Sequence, residues 1–117
     1  MPVTGIGGLF FRSKDPEGLA LWYRERLGVN AGHDGVWDQA AGPTVFAPFA
    51  QDSDYFAKDK AFMLNLRVQD LDGLIASLRG AEVEVAVNAE WDQQGFGRFA
   101  RLHDPEGNPI ELWEPPA

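Results

Sequence analysis

The sequence predicts an α+β fold made of two βαβββ modules in a single domain, and three observations carry that prediction. The chain nearly repeats itself, both copies set a helix-capping Asp ahead of an amphipathic run, and the flanking segments alternate apolar and polar residues as strands do. Placing Asp15 over Asp70 (70 − 15 = 55) brings Arg12, Asp15, Gly18 and Leu19 onto Arg67, Asp70, Gly73 and Leu74. At 117 residues one domain is expected, with a first module over about residues 4–50, a linker over 51–60 and a second module over 61–115.

In the first module, Gly8-Leu9-Phe10-Phe11-Arg12 is expected as a strand. Asp15 and Pro16 then suit a helix start, Leu19, Trp22, Tyr23 and Leu27 form the apolar stripe, and Gly28 suits the stop. Trp22 and Tyr23 are expected in the core. Short strands are expected near 35–39 and 44–49. The Asp- and Lys-rich stretch 51–60 reads as the connection between modules.

In the second module, even positions from Phe62 to Val68 are all apolar, so Phe62, Leu64, Leu66 and Val68 should face the helices, leaving Met63, Asn65 and Arg67 on the other side. The repeat assigns Leu9 and Phe11 to the helix side and Gly8, Phe10 and Arg12 to the opposite one. Leu71, Leu74, Ile75 and Leu78 fall at helical spacing, with Gly80 as the expected stop. Further strands are expected at 83–87 and 97–103. Asp104 to Asn108 has hairpin-turn composition, which sets His103 opposite Pro109, Leu102 opposite Ile110 and Arg101 opposite Glu111.

The face away from the helices would then hold Phe10, Arg12, Met63, Asn65, Arg67, Phe99, Arg101, Glu111 and Trp113. An apolar wall with a few polar groups suits a small-molecule pocket, and equally a solvated face or a dimer contact. Trp37 and Trp91, outside the expected helices, offer flat surfaces for an aromatic or cationic ligand or serve in packing.

Composition narrows the chemistry. The absence of cysteine removes disulfides and thiolate chemistry, leaving only His33 and His103 as imidazole donors. His33 sits in a turn-like stretch and His103 beside the hairpin turn. A formal charge of −8 with no basic stripe argues against nucleic acid. No long apolar run suggests a membrane span, and the opening residues do not resemble a signal peptide, so a cytoplasmic protein is expected. Gly5 to Gly8 is no dinucleotide fingerprint, since a strand follows it.

Gly8 to Arg12 leading to Asp15, Trp22-Tyr23-Arg24-Glu25-Arg26-Leu27-Gly28, the restart at Met63, and Asp104-Pro105-Glu106-Gly107-Asn108-Pro109-Ile110-Glu111-Leu112 together resemble the vicinal-oxygen-chelate superfamily, which includes glyoxalases, bleomycin-resistance proteins and extradiol dioxygenases. The resemblance implies a bacterial-type chain whose curved, mixed eight-stranded sheet forms a cup with helices on one face, and a homodimer. It also implies four metal-ligand positions, which fall on Gly8, the segment 44–49, Met63 and Glu111; only Glu111 offers a ligand atom. No resident metal or other cofactor is therefore expected. The foremost functional expectation is a binding protein for a small molecule. An enzyme using Glu111 as acid, base or weak metal ligand is the alternative, and a non-catalytic interaction module the third. Without a metal, Glu111 needs another partner, and Arg101 across the ladder is the first candidate, ahead of Arg12 and Arg67.

Overall fold

In the computed structural model, residues 2–30, 35–92 and 95–117 are described. The elements are α1 (Pro16–Leu27), β1 (Leu64–Arg67), α2 (Leu71–Gly80), a 3-10 turn (Ala89–Trp91), β2 (Arg98–His103) and β3 (Pro109–Glu114). Asp15 starts α1 by accepting from Gly18 N at 3.1 Å, and Asp70 starts α2 by accepting from Gly73 N at 3.2 Å. Both repeated Asp-x-x-Gly motifs thus perform the same capping job.

The helices end differently. Gly28 closes α1 in the left-handed conformation at φ 70°, its N–H reaching the Arg24 carbonyl. Gly80 is not the stop of α2: it remains helical, and the left-handed position falls on Glu82 at φ 64°. There Val83 N bonds to Leu78 O and Glu82 N to Arg79 O, the paired bonds of a Schellman closure.

The three strands form a mixed sheet in the order β1-β3-β2, with β3 parallel to β1 and antiparallel to β2. The hairpin register is the one the turn composition implies: His103 pairs with Pro109, Leu102 with Ile110 and Arg101 with Glu111. On one face Leu66, Ala100, Leu102, Ile110 and Leu112 form a continuous core with Leu19 and Tyr23 of α1 and Leu71, Ile75 and Leu78 of α2. Trp22 is half-buried at its margin. Burying such side chains stabilises the fold by about 1.5–3 kcal/mol each.

Among the described residues, the architecture is α+β with three paired strands. The stretch near 83–87 contributes one isolated bridge, between Ala86 and Arg101. The stretches expected as strands in the first module join no described ladder, and their apolar side chains stay exposed. Leu9, expected against the helices, is 48% exposed, and Phe46 is 84% exposed. Phe11 is only partly covered, leaning edge-on against Tyr23 and Phe62. A strand is held by a ladder of paired N–H and C=O groups, and among the described residues such a ladder joins β1, β3 and β2.

The hairpin instead anchors the entry to α1 by polar contacts. Glu106 accepts from Ser13 Oγ at 2.7 Å and Lys14 N at 2.8 Å. These donors hold its carboxyl below the usual range, the Lys14 backbone N–H foremost. Asp104, buried, accepts from the Tyr23 hydroxyl at 2.7 Å and from the backbone N–H groups of Glu106 and Asn108.

Candidate functional site

Alternation along the strands puts Asn65, Glu111 and Arg101 in one row across the sheet, and Arg67, Trp113 and Phe99 in the next. Both rows lie on the face away from the helices, because their neighbours Leu66, Leu112, Ala100 and Ile110 fill the core.

Glu111 is the centre of the first row. It sits on the middle strand and is only 4% exposed, so its charge must be met by donors inside the protein. Three supply it: the Tyr55 hydroxyl donates to Oε2 at 2.7 Å, Asn65 Nδ2 to Oε1 at 2.9 Å and Arg101 Nε to Oε2 at 3.3 Å. Arg101 therefore is the ion-pair partner of Glu111. Its guanidinium is held further by donating to the Tyr55 carbonyl at 2.9 Å and lies between two rings, 4.1 Å from the centre of Tyr55 and 4.4 Å from that of Trp91. Cation–π contact with two rings suits a guanidinium. The Tyr55 phenol is pushed above its ordinary range, first by burial and then by its hydrogen bond to Glu111 and the carboxylate's charge, with Arg101 opposing.

In the second row Trp113 stacks nearly parallel to Phe99, and its indole N–H donates to the Phe96 carbonyl at 2.6 Å. Arg67 turns to the first module, donating to the carbonyls of Pro43 at 2.7 Å and Ala40 at 2.9 Å. Gly42 permits this approach, since a Cβ there would stand 2.7 Å from the guanidinium.

The structure thus gathers Asn65, Arg101 and Glu111 into one cluster, sets Phe99 and Trp113 beside it and ties Arg67 to the first module. It does not bring in Phe10, which is 96% exposed, or Arg12, which makes no described contact. Met63 is half-buried just ahead of β1. His103 is exposed, and His33 lies outside the described residues. Two surface hollows, one lined by Arg79 and residues 82–86 and one by Trp22, Val83, Glu84, His103, Asp104 and Pro105, share no residue with these rows.

Tyr55 lies in the segment whose composition reads as a linker, and no periodicity there points to a site residue. The one available signal was the aromatic pair Tyr55-Phe56 inside an otherwise polar stretch. Trp91, expected as a flat surface for an aromatic or cationic group or for packing, lies against the Arg101 guanidinium.

The donor set around Glu111 does not suit a divalent ion. Its two oxygens already accept three hydrogen bonds, one from a guanidinium that would repel a second cation, while Gly8 and Met63 offer neither carboxylate nor imidazole. Among the described residues, no group of three or more His, Cys, Asp or Glu is placed to hold a metal. No helix among them is long and apolar enough to cross a membrane.

The family model described as a glyoxalase-like domain matches residues 8–113. The chain is similar in structure to TnmS3, an antibiotic binding protein from Streptomyces sp. CB03234, with 27% identity, 99% of each chain covered and a TM-score of 0.63. It is also similar to a glyoxalase/bleomycin resistance protein from Streptomyces sp. CB03234, with 33% identity over 46% of each chain and a TM-score of 0.38. Among curated proteins, none matches the chain.

Proposed function

The chain belongs to the glyoxalase-like domain family of the vicinal-oxygen-chelate superfamily, and from that premise we propose that it binds a small organic molecule on the polar and aromatic face centred on Glu111, with no resident metal. The observation that carries this reading is the buried carboxylate whose partners are an amide, a guanidinium and a phenol rather than further metal ligands. Trp91, Phe99 and Trp113 add flat apolar surface beside it, the mixture that small-molecule sites use. Similarity to an antibiotic binding protein over nearly the whole chain favours the same class of role. The enzymatic alternative is weaker, because a carboxylate already holding three hydrogen bonds is poorly free to exchange a proton with a substrate.

This reading includes a homodimer with the eight-stranded cup of the family. Its support is the apolar surface left open by the first module, where Ile6, Phe10, Val45 and Phe46 are each at least 60% exposed. A second copy would supply ladder partners for these segments. Sedimentation at rising concentration tests it, the expected result being a dimer that dissociates on dilution.

A thermal-shift screen of small aromatic molecules tests the binding proposal. A true ligand at about a hundred times its dissociation constant stabilises the fold by about 2.7 kcal/mol. The shift should shrink in Glu111→Gln and Trp113→Ala; hits that shift both variants as much as the original chain place the site elsewhere. Elemental analysis of the purified protein should find no stoichiometric metal, and a metal-to-chain ratio near one that is lost in Glu111→Ala would refute the metal-free reading.

A further inference from the structure

The contacts of Tyr55 differ in kind from those of the other groups on Glu111. Asn65, Arg101 and Glu111 sit on three paired strands, whereas Tyr55 comes from a stretch with neither helix nor strand. Within 50–60 the backbone bonds are local, Ser53 N to Ala50 O and Lys60 N to Ala57 O. Every described hydrogen bond from 50–60 to the rest of the chain runs through Tyr55, by its hydroxyl to Glu111 and its carbonyl from Arg101. Tyr55 is 37% exposed, so part of it meets solvent while its hydroxyl and carbonyl meet the cluster.

We propose that Tyr55 is a displaceable internal occupant of the Glu111 site, and that the ligand taken there is a planar phenol whose hydroxyl replaces that of Tyr55 on Glu111 and whose ring replaces the tyrosine ring over Arg101. This rests on the binding reading above and specifies its ligand class. With Tyr55 swung away, Glu111 keeps Asn65 and Arg101, and the guanidinium keeps its contact with Trp91 while the space of the Tyr55 ring opens beside it. An incoming molecule must then satisfy two demands. It must donate a hydrogen bond, since a buried carboxylate oxygen that loses a donor is costly, and it must be flat, since the vacated space lies over a guanidinium plane. An anion fails the first demand by repulsion from Glu111, and an aliphatic alcohol fails the second. Burial and Glu111 raise the Tyr55 phenol above its ordinary range, and the same surroundings favour a replacing phenol in its neutral form.

Because the site must open before it binds, affinity in the unaltered chain is reduced by the fraction of molecules in which Tyr55 has left. Tryptophan fluorescence titration with 2-naphthol, and with 2-methoxynaphthalene as the analogue lacking the donor, tests this. Tyr55→Ala should bind 2-naphthol at least tenfold more tightly than the unaltered chain, and Tyr55→Phe, which keeps the ring but releases Glu111, should fall between them. 2-Methoxynaphthalene should bind Tyr55→Ala at least tenfold more weakly than 2-naphthol does. Adding Glu111→Gln to Tyr55→Ala should shrink that preference. Equal 2-naphthol binding by the unaltered chain, Tyr55→Phe and Tyr55→Ala, still sensitive to Glu111→Gln, overturns the displaceable occupant and leaves the binding site standing. No binding that depends on either Tyr55 or Glu111 overturns both.

Discussion

Residues 4–50 and 61–115 carry the same Arg, Asp, Gly and Leu pattern, yet their expected strands meet different fates. In the second module a capped helix packs on a sheet whose central strand is buried at Ile110, Glu111 and Leu112. In the first, an equally well capped helix lends Leu19 and Tyr23 to that same core, while the described residues around it form no helix or strand and expose aromatic side chains such as Phe10 and Phe46. The helix cap is a local device that the repeat can copy. Strand pairing is not, because it depends on a neighbour that the repeat does not specify. The difference teaches that one module is organised around its own sheet and the other borrows its order from that sheet.

The strongest way to break this comparison is to remove bulk from each region. Leu112, fully buried, should cost about 2–5 kcal/mol when changed to Ala, at every protein concentration. Phe46→Ala should cost less than about 0.5 kcal/mol in dilute protein, as an exposed substitution does, and more once chains associate. Denaturant melts at two protein concentrations decide it. A large, concentration-independent loss in Phe46→Ala would mean that the first module has a packed core of its own.

Much of the second module was legible in the sequence because each of its rules is local. Alternation from Phe62 to Val68, helical spacing from Leu71 to Leu78 and the Asp104 turn together put Asn65, Arg101 and Glu111 on one face and paired Arg101 with Glu111. The first-module residues proposed for that face, Phe10 and Arg12, followed from the repeat alone, and the repeat does not carry strand pairing with it. Tyr55 was illegible for the opposite reason. Nothing periodic marks a residue in an irregular segment, and its place on Glu111 is set by contacts 56 positions apart in sequence.

The Glu111 cluster sharpens the comparison next. Arg101→Leu should destabilise by about 2–3 kcal/mol, short of the roughly 3–5 kcal/mol for stripping a buried charge of its partner, because Tyr55 and Asn65 still donate. Glu111→Gln should be milder, and the double-variant cycle should give a coupling of about 1 kcal/mol or more. Additive effects would break the pairing and leave the amide and phenol as the sole supports of the carboxylate.

The chain's two tyrosines provide a smaller test, since each ties a segment outside the sheet to the second module: Tyr23 ties α1 to Asp104, and Tyr55 ties 50–60 to Glu111. Burial, then a carboxylate hydrogen bond, raises both phenols above their ordinary range. Folded tyrosines therefore keep protons that unfolded ones release, so their contribution is intact below about pH 10 and is lost as pH rises beyond it. Phenolate absorbance should show neither group titrating in the normal range while the fold persists. Tyr23→Phe should remove more of the alkaline loss of stability than Tyr55→Phe, since Tyr23 is the more deeply buried. Equal contributions would mean that 50–60 is held as firmly as the helix.

The smallest expected effect separates the two helix ends. Gly28 at φ 70° and Glu82 at φ 64° occupy the same left-handed region, but only the first has the residue type that enters it freely. For a residue with a Cβ that conformation costs about 1–2 kcal/mol, against the roughly 0.5–1 kcal/mol of extra backbone entropy that a glycine loses on folding. Glu82→Gly should therefore raise stability by about 0.5 kcal/mol, whereas Gly28→Ala should lower it by about 1 kcal/mol. A Cβ built on Gly28 meets no atom within 4 Å, so that loss would come from backbone conformation rather than from a clash. Denaturant midpoints of the two variants measure both signs. If Glu82→Gly brings no gain, the Val83 to Leu78 closure holds α2's end strongly enough to make its residue type irrelevant, and the two helix ends differ in tertiary support rather than in sequence.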